Sequence, residues 1–268
     1  MRVAENQIAA IRAKSYVAAA NPDAERKGSP GDTVAATEFS TGINTWDLDA
    51  VNVPELGSTA RQVAQDGTGV YVAVLDTGLL DSWRQYFPQE RIATQFARAF
   101  SGGGGEVGTV SDAQNQWQHD QNSHGTHVTS TILGYQFGAV AVNGVAPRAT
   151  IIPVKVLGQA GFGWSSMIAA GIVYVTDLAR GPLAGHPVVI NMSLGGSVLD
   201  GVEKAAIDYA VANGVIVVAS AGNEGNAGMS FPGAYAPVIS VAASGWTGEW
   251  TTGTNTWWRT ENVAEPTA

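Results

Sequence analysis

The chain has 268 residues, 45% of them hydrophobic and 14% charged, and no cysteine. So much apolar material excludes a disordered chain, and the missing thiol excludes disulfides, zinc–thiolate sites and a cysteine nucleophile. Lys+Arg is 14 and Asp+Glu is 23, a net charge of −9, so nucleic acid and anionic membranes, which need basic patches, are not the expected partners.

Met1–Ala20 has Glu5, Arg12 and Lys14 scattered through it and shows no apolar leader. Glu5–Ala20 is Ala-rich with a thin apolar face and reads as a helix. Asn21–Gly42, with Pro22, Gly28, Pro30 and Gly31, reads as a linker. From Trp46 onward the pattern is globular. Val70–Leu75 is an apolar run ending at Asp76-Thr77-Gly78, a buried strand followed by a turn. Gly102–Gly105 reads as a flexible loop; it has no lysine and no following helix signal, so it is not a phosphate loop. Thr129–Leu133 continues a helix that starts near His124, and Gly134–Asn143 reads as a loop.

Ile151–Leu157 is a second apolar run, and Ser165–Leu178 carries apolar residues at helical spacing. Pro187–Met192 is a third strand, and Leu199–Asn213 an amphipathic helix stopping at Gly214. Val215–Ser220 and Pro237–Ala242 complete the strands, and the longest uncharged stretch, Gly225–Gly248, is broken by Pro232 and Pro237 and is no membrane helix. Apolar strands separated by helices predict a parallel sheet covered on both faces, with chemistry at the carboxyl ends of its strands.

Three of those regions carry unusual residues. Asp76 directly follows the first strand, where it is placed to orient a histidine; alone it reads as a turn or cap residue. Asn122–Val128 (NSHGTHV) sets His124 at a helix start, the natural general base near neutral pH. His124 and His127 as a metal pair have no adjacent carboxylate ligand, Asp120 being only a loose candidate. Asn223 in SAGNEG follows a buried strand between glycines; it is placed to donate to an oxyanion, or is a turn asparagine.

Together, Asp76 in VAVLDTG, His124 in SHGTHV, Asn191–Gly196 (NMSLGG) and Asn223 in ASAGNEG resemble the subtilisin-like serine proteases, the subtilases. Gly144–Pro147 (GVAP) and Pro153–Leu157 (PVKVL) fit the same family, and the resemblance runs from about Trp46 to Ala243. It implies a three-layer α/β fold, a mostly parallel central sheet flanked by helices. It also implies the order Asp then His in the triad. On this resemblance Asp76 orients the histidine, His124 is general base and then acid, His127 is structural, and Asn223 is the oxyanion donor. Gly161-Phe162-Gly163 is the expected edge strand that pairs with extended substrate. Ser193-Leu194-Gly195 and Ser220-Ala221-Gly222 are the expected walls of the pocket for the residue before the scissile bond.

The chain departs from the family in one place. The Gly-Thr-Ser-Met-Ala-x-Pro motif that carries the nucleophile is absent, the nearest string being Gly228–Pro232 (GMSFP), and no serine is nominated. The expectation is therefore a subtilase peptidase domain, 46–268, with its C-terminal part missing and apolar surface left facing water, behind a prosegment remnant and linker, 1–45. Four tryptophans between Trp246 and Trp258 read as a hairpin.

The expected function is serine endopeptidase, inactive in this chain for want of the serine. The alternative is a pseudoprotease or peptide-binding module, against which the retention of Asp76, His124 and Asn223 argues. The expected partner is a polypeptide substrate, not nucleic acid or membrane, and the complete protein is expected to be an extracellular monomer. Calcium is common in the family, but no metal ligand or cofactor is assigned. A nucleotide binder would need a glycine-rich turn where Asp76-Thr77-Gly78 stands.

Overall fold

Residues 10, 13–15, 34–54, 60–103, 109–246 and 263–264 are described by the computed structural model. The chain divides into two units, Met1–Asp32 and Thr33–Ala268. Only residues 10 and 13–15 of the first are described, so the helix expected over Glu5–Ala20 lies almost wholly outside the described residues, as does most of the tryptophan-rich segment.

The second unit is built on a seven-stranded sheet. In chain order its elements are α1 (Trp46–Ala50), β1 (Tyr71–Asp76), β2 (Arg98–Gly102), β3 (Val110–Asp112), α2 (His124–Leu133), β4 (Gly134–Phe137), β5 (Val140–Asn143), β6 (Thr150–Lys155), α3 (Ser165–Arg180), β7 (Val188–Met192), α4 (Gly201–Ala212), β8 (Ile216–Ser220) and β9 (Ile239–Val241). The spatial order is β3-β2-β6-β1-β7-β8-β9. Every pairing is parallel except β2 with β3. Farther on, Gly245–Trp246 pairs antiparallel with Val263–Ala264.

Alternation along β1 separates the two faces. Ala73 and Leu75 join Ile152, Val154, Ile172, Val175, Ile207 and Ala210 in one core, beneath α3 and α4. Val74 joins Ile151, Leu133, Trp83, Phe87 and Trp117 in a second core on the other face, the side of α2. This is the expected three-layer arrangement. Gly171 lets α3 lie low on the sheet, because a Cβ there would sit 2.8 Å from Val156 Cγ1. Asp200 caps α4, its Oδ1 accepting from the amides of Val202 and Glu203 at 2.9 Å each.

Three regions differ from the sequence reading. The Gly134–Asn143 loop is a β4–β5 hairpin turning at Gly138-Ala139. The short strands β2 and β3, at one side of the sheet, have partly exposed or polar residues and no continuous apolar run. The linker read over residues 21–42 also ends earlier than expected. Phe39 is buried and its carbonyl accepts from Gly144, while Ile43 exchanges backbone hydrogen bonds with the β5 segment. Asn143 fastens this stretch by accepting from Gly42 N at 2.7 Å and donating to Gly42 O at 3.1 Å. At the far end of the sheet Ile216, Ile239 and Val241 are about half exposed.

Candidate active site

β1, β6, β7 and β8 are neighbours and end at one edge of the sheet, in Asp76, Lys155, Met192 and Ser220. The register that pairs Asp76 with Lys155 continues past the strand, since Val156 N and Leu157 N both donate to Asp76 O, at 2.9 and 3.0 Å. The Asp76 side chain is wholly buried and accepts from Thr77 N at 2.6 Å. Thr77 Oγ1 in turn accepts from Gly125 N at 2.8 Å, in the first turn of α2. Gly78 has a φ of +100° and its Cα faces the Trp117 carbonyl, so the turn needs glycine there.

These contacts bring His124 onto Asp76. Its Nδ1 lies 2.8 Å from Oδ1 and 2.9 Å from Oδ2. An ionised carboxylate only accepts, so Nδ1 donates to it, and in the neutral imidazole the lone pair is then on Nε2. The imidazole is 46% exposed while the carboxylate is 0% exposed. A carboxylate fixing the tautomer of a half-open histidine is the arrangement a general base requires.

Two buried groups not assigned from the sequence lie near this pair. Asp120 accepts from Ser123 N at 2.8 Å, Thr126 N at 3.0 Å and Thr126 Oγ1 at 2.6 Å, satisfying the start of α2. Ser123, just before His124, sits at φ +72°. Lys155 Nζ donates to Thr77 O at 2.6 Å and Leu157 O at 2.8 Å. Burial pushes its ammonium below the usual lysine value, against the opposing pull of Asp120 and Asp76. The only sequence signals were a polar residue closing an apolar strand, in PVKVL, and an aspartate before a helix start.

Asn223 stands just beyond β8, exposed, after Gly222 at φ +101°. Its backbone N donates to Glu224 Oε2 at 2.8 Å, and its side-chain amide has no hydrogen-bond partner among the described residues. The segments Ser193-Leu194-Gly195 and Ser220-Ala221-Gly222 are joined by Ser220 Oγ donating to Leu194 O at 3.1 Å. The strand-like exchange between Gly196 and Phe231 closes the same region. Ser230 is packed there against Gly195 and Gly222, neither of which has room for a Cβ. Gly161-Phe162-Gly163 is not a strand: the loop closes on itself through Gly158 N donating to Phe162 O, leaving Phe162 82% exposed. Asn122, two residues before His124, donates to Gln159 O in this loop at 3.1 Å.

No serine among the described residues is hydrogen-bonded to His124. Ser230, in the string nearest to a nucleophile motif, donates to Glu224 Oε2 at 2.6 Å and holds that carboxyl below its ordinary value. Among the described residues no group of three or more His, Asp or Glu is placed to hold a metal, and His127 is exposed.

The Subtilase family model matches residues 67–263. The chain belongs to the subtilase family. It is 35% identical to Subtilisin E of Bacillus subtilis (strain 168) over 212 residues, 78% of this chain and 48% of that one. It is also 35% identical to Subtilisin Savinase of Lederbergia lenta over 199 residues, 74% of this chain and 63% of that one. Among solved structures, Sphericase superposes with a TM-score of 0.58 at 29% identity, covering 83% of this chain and 64% of the other. The S41 Psychrophilic Protease gives 0.59 at 29%, covering 87% and 67%. This subtilase chain therefore spans about half the length of the first curated relatives it matches. Among the described residues no helix is long and apolar enough to cross a membrane.

Proposed function

We propose that the protein is a serine-type endopeptidase, and that this chain supplies the Asp–His half of the triad and the oxyanion donor. The supporting observation is the buried Asp76 carboxylate against Nδ1 of half-exposed His124. In the proposed reaction Nε2 takes the proton of a serine hydroxyl as its oxygen bonds to the peptide carbonyl carbon. The Asn223 amide donates to the resulting oxyanion. Nε2 then hands the proton to the departing amine, leaving an acyl-enzyme that water hydrolyses by the same steps. Asp76 holds the tautomer and stabilises the imidazolium.

Extended polypeptide is the proposed substrate, lying between Gly161–Gly163 and Ser193–Gly195 with one side chain towards Ser220–Gly222. The proposed setting is outside the cell, with the residues before Val34 as prosegment remnant and linker. Because no serine adjoins His124 among the described residues, the 268-residue chain alone is proposed not to cleave peptides. A fluorophosphonate probe is expected to leave it unlabelled; stoichiometric labelling overturns that. The endopeptidase reading is tested by joining to it the Subtilisin Savinase segment that follows the matched region. The chimera is expected to cleave a fluorogenic peptide, and its His124→Ala variant is not. A folded chimera without activity overturns the reading, and tight peptide binding by the chain alone favours a binding module.

A further inference from the structure

We infer that Lys155 is a positioning residue for the Asp76–His124 pair, clamping the turn after β1 to the end of β6. The inference rests on the reading of His124 as the proton-carrying group, but its test does not use peptide cleavage. The two can therefore fail separately.

The clamp follows from the backbone. Parallel pairing holds Asp76 beside Lys155 and ends there. Beyond it the turn Thr77-Gly78 must leave the sheet, carrying the threonine whose Oγ1 holds the first turn of α2. The Lys155 side chain follows the turn, with its Cδ 3.4 Å from the point a Gly78 Cβ would occupy, and its ammonium caps the Thr77 and Leu157 carbonyls together. Both carbonyls lie where strand pairing has stopped, so without Lys155 they would be buried acceptors lacking this donor.

The charge is matched in the same place. Lys155 is 8% exposed, Asp120 1% and Asp76 0%, and a lone buried ammonium is costly unless carboxylates accompany it. Asp120 is committed to the start of α2 and Asp76 to His124. One cation between two committed carboxylates therefore ties strand end, turn and helix start into one unit.

The readout is the proton NMR signal of His124 Nδ1–H held by Asp76, assigned against His124→Gln in the intact chain. It is expected as a slowly exchanging, strongly downfield resonance. Lys155→Met is expected to lose it or to speed its exchange by about tenfold or more, the loss expected from loosening one buried hydrogen bond. Lys155→Arg, which keeps charge and donors, is expected to restore it. A folded Lys155→Met variant with the resonance unchanged overturns the inference, as does loss in the Met variant that Arg fails to restore. Should Lys155→Met not fold, the parent decides: ammonium protons of Lys155 protected from exchange at neutral pH support the clamp. Ammonium protons that exchange as freely as those of a surface lysine overturn it.

Discussion

Gly125 and Gly78 approach so closely that a Cβ on Gly125 would lie 2.5 Å from the Gly78 carbonyl oxygen and 3.2 Å from Asp76 Cβ. The first turn of α2 therefore rests directly on the turn that follows β1, and His124 reaches Asp76 because nothing stands between them. Gly125→Ala is expected to push α2 outward and cost about 2–3 kcal/mol, the range of an overpacked core site. Urea denaturation measures the loss, and His124 should lose its downfield proton even where the variant still folds.

Glu203 gives the fold a pH dependence of its own. It is 4% exposed in the first turn of α4, and its Oε1 has no hydrogen-bond partner among the described residues. Burial, then the charge of Asp200, pushes its carboxyl up to about 7 from 4.5. A folded-state value above the unfolded one means that stability is fully present below about pH 4.5. It is lost as pH rises through about 7. The whole excursion is at most about 3 kcal/mol. Glu203→Gln is expected to flatten this slope and to raise the melting temperature at pH 8, measured by scanning calorimetry. A parent and variant with parallel pH profiles would refute it.

Asn143 is the fastening of the segment before α1. Asn143→Ala removes its bonds to Gly42 N and Gly42 O and is expected to cost about 1–3 kcal/mol. Limited proteolysis should then nick the chain between residues 34 and 44, at a rate rising more steeply than global unfolding predicts.

Asn223→Ala is expected to leave stability within about 0.5 kcal/mol of the parent, because the removed amide touches nothing that holds the fold. The same substitution in the active chimera should lower kcat far more than it raises KM. A rise in KM with kcat unchanged would assign Asn223 to substrate binding instead.

Sequence legibility followed burial. Tyr71–Asp76, Thr150–Lys155 and Val188–Met192 are enclosed enough that their composition alone marked them as parallel strands. Arg98–Gly102 and Val110–Asp112 are not, and their pairing depends on a neighbour brought in by the fold. The site divides the same way. Asp76, His124 and Asn223 sit in short strings whose order along the chain resembles the subtilases, and the resemblance, not any one string, points to them. Asp120 and Lys155 gain their roles only because residues 77, 120–126 and 155–157 converge in space, and no local string reports that convergence. Phe39 was hidden for a similar reason: its place is set by contact with Gly144, far along the chain.

Asp76 is sealed while His124 is about half open, and the ring nitrogen facing inward is already engaged. Solvent thus reaches the pair only from the imidazole side. Traffic of hydrogen ions between bulk water and the enclosed carboxylate must pass through the imidazole ring as through a turnstile. Whatever molecule covers that ring isolates the entire dyad from the aqueous phase.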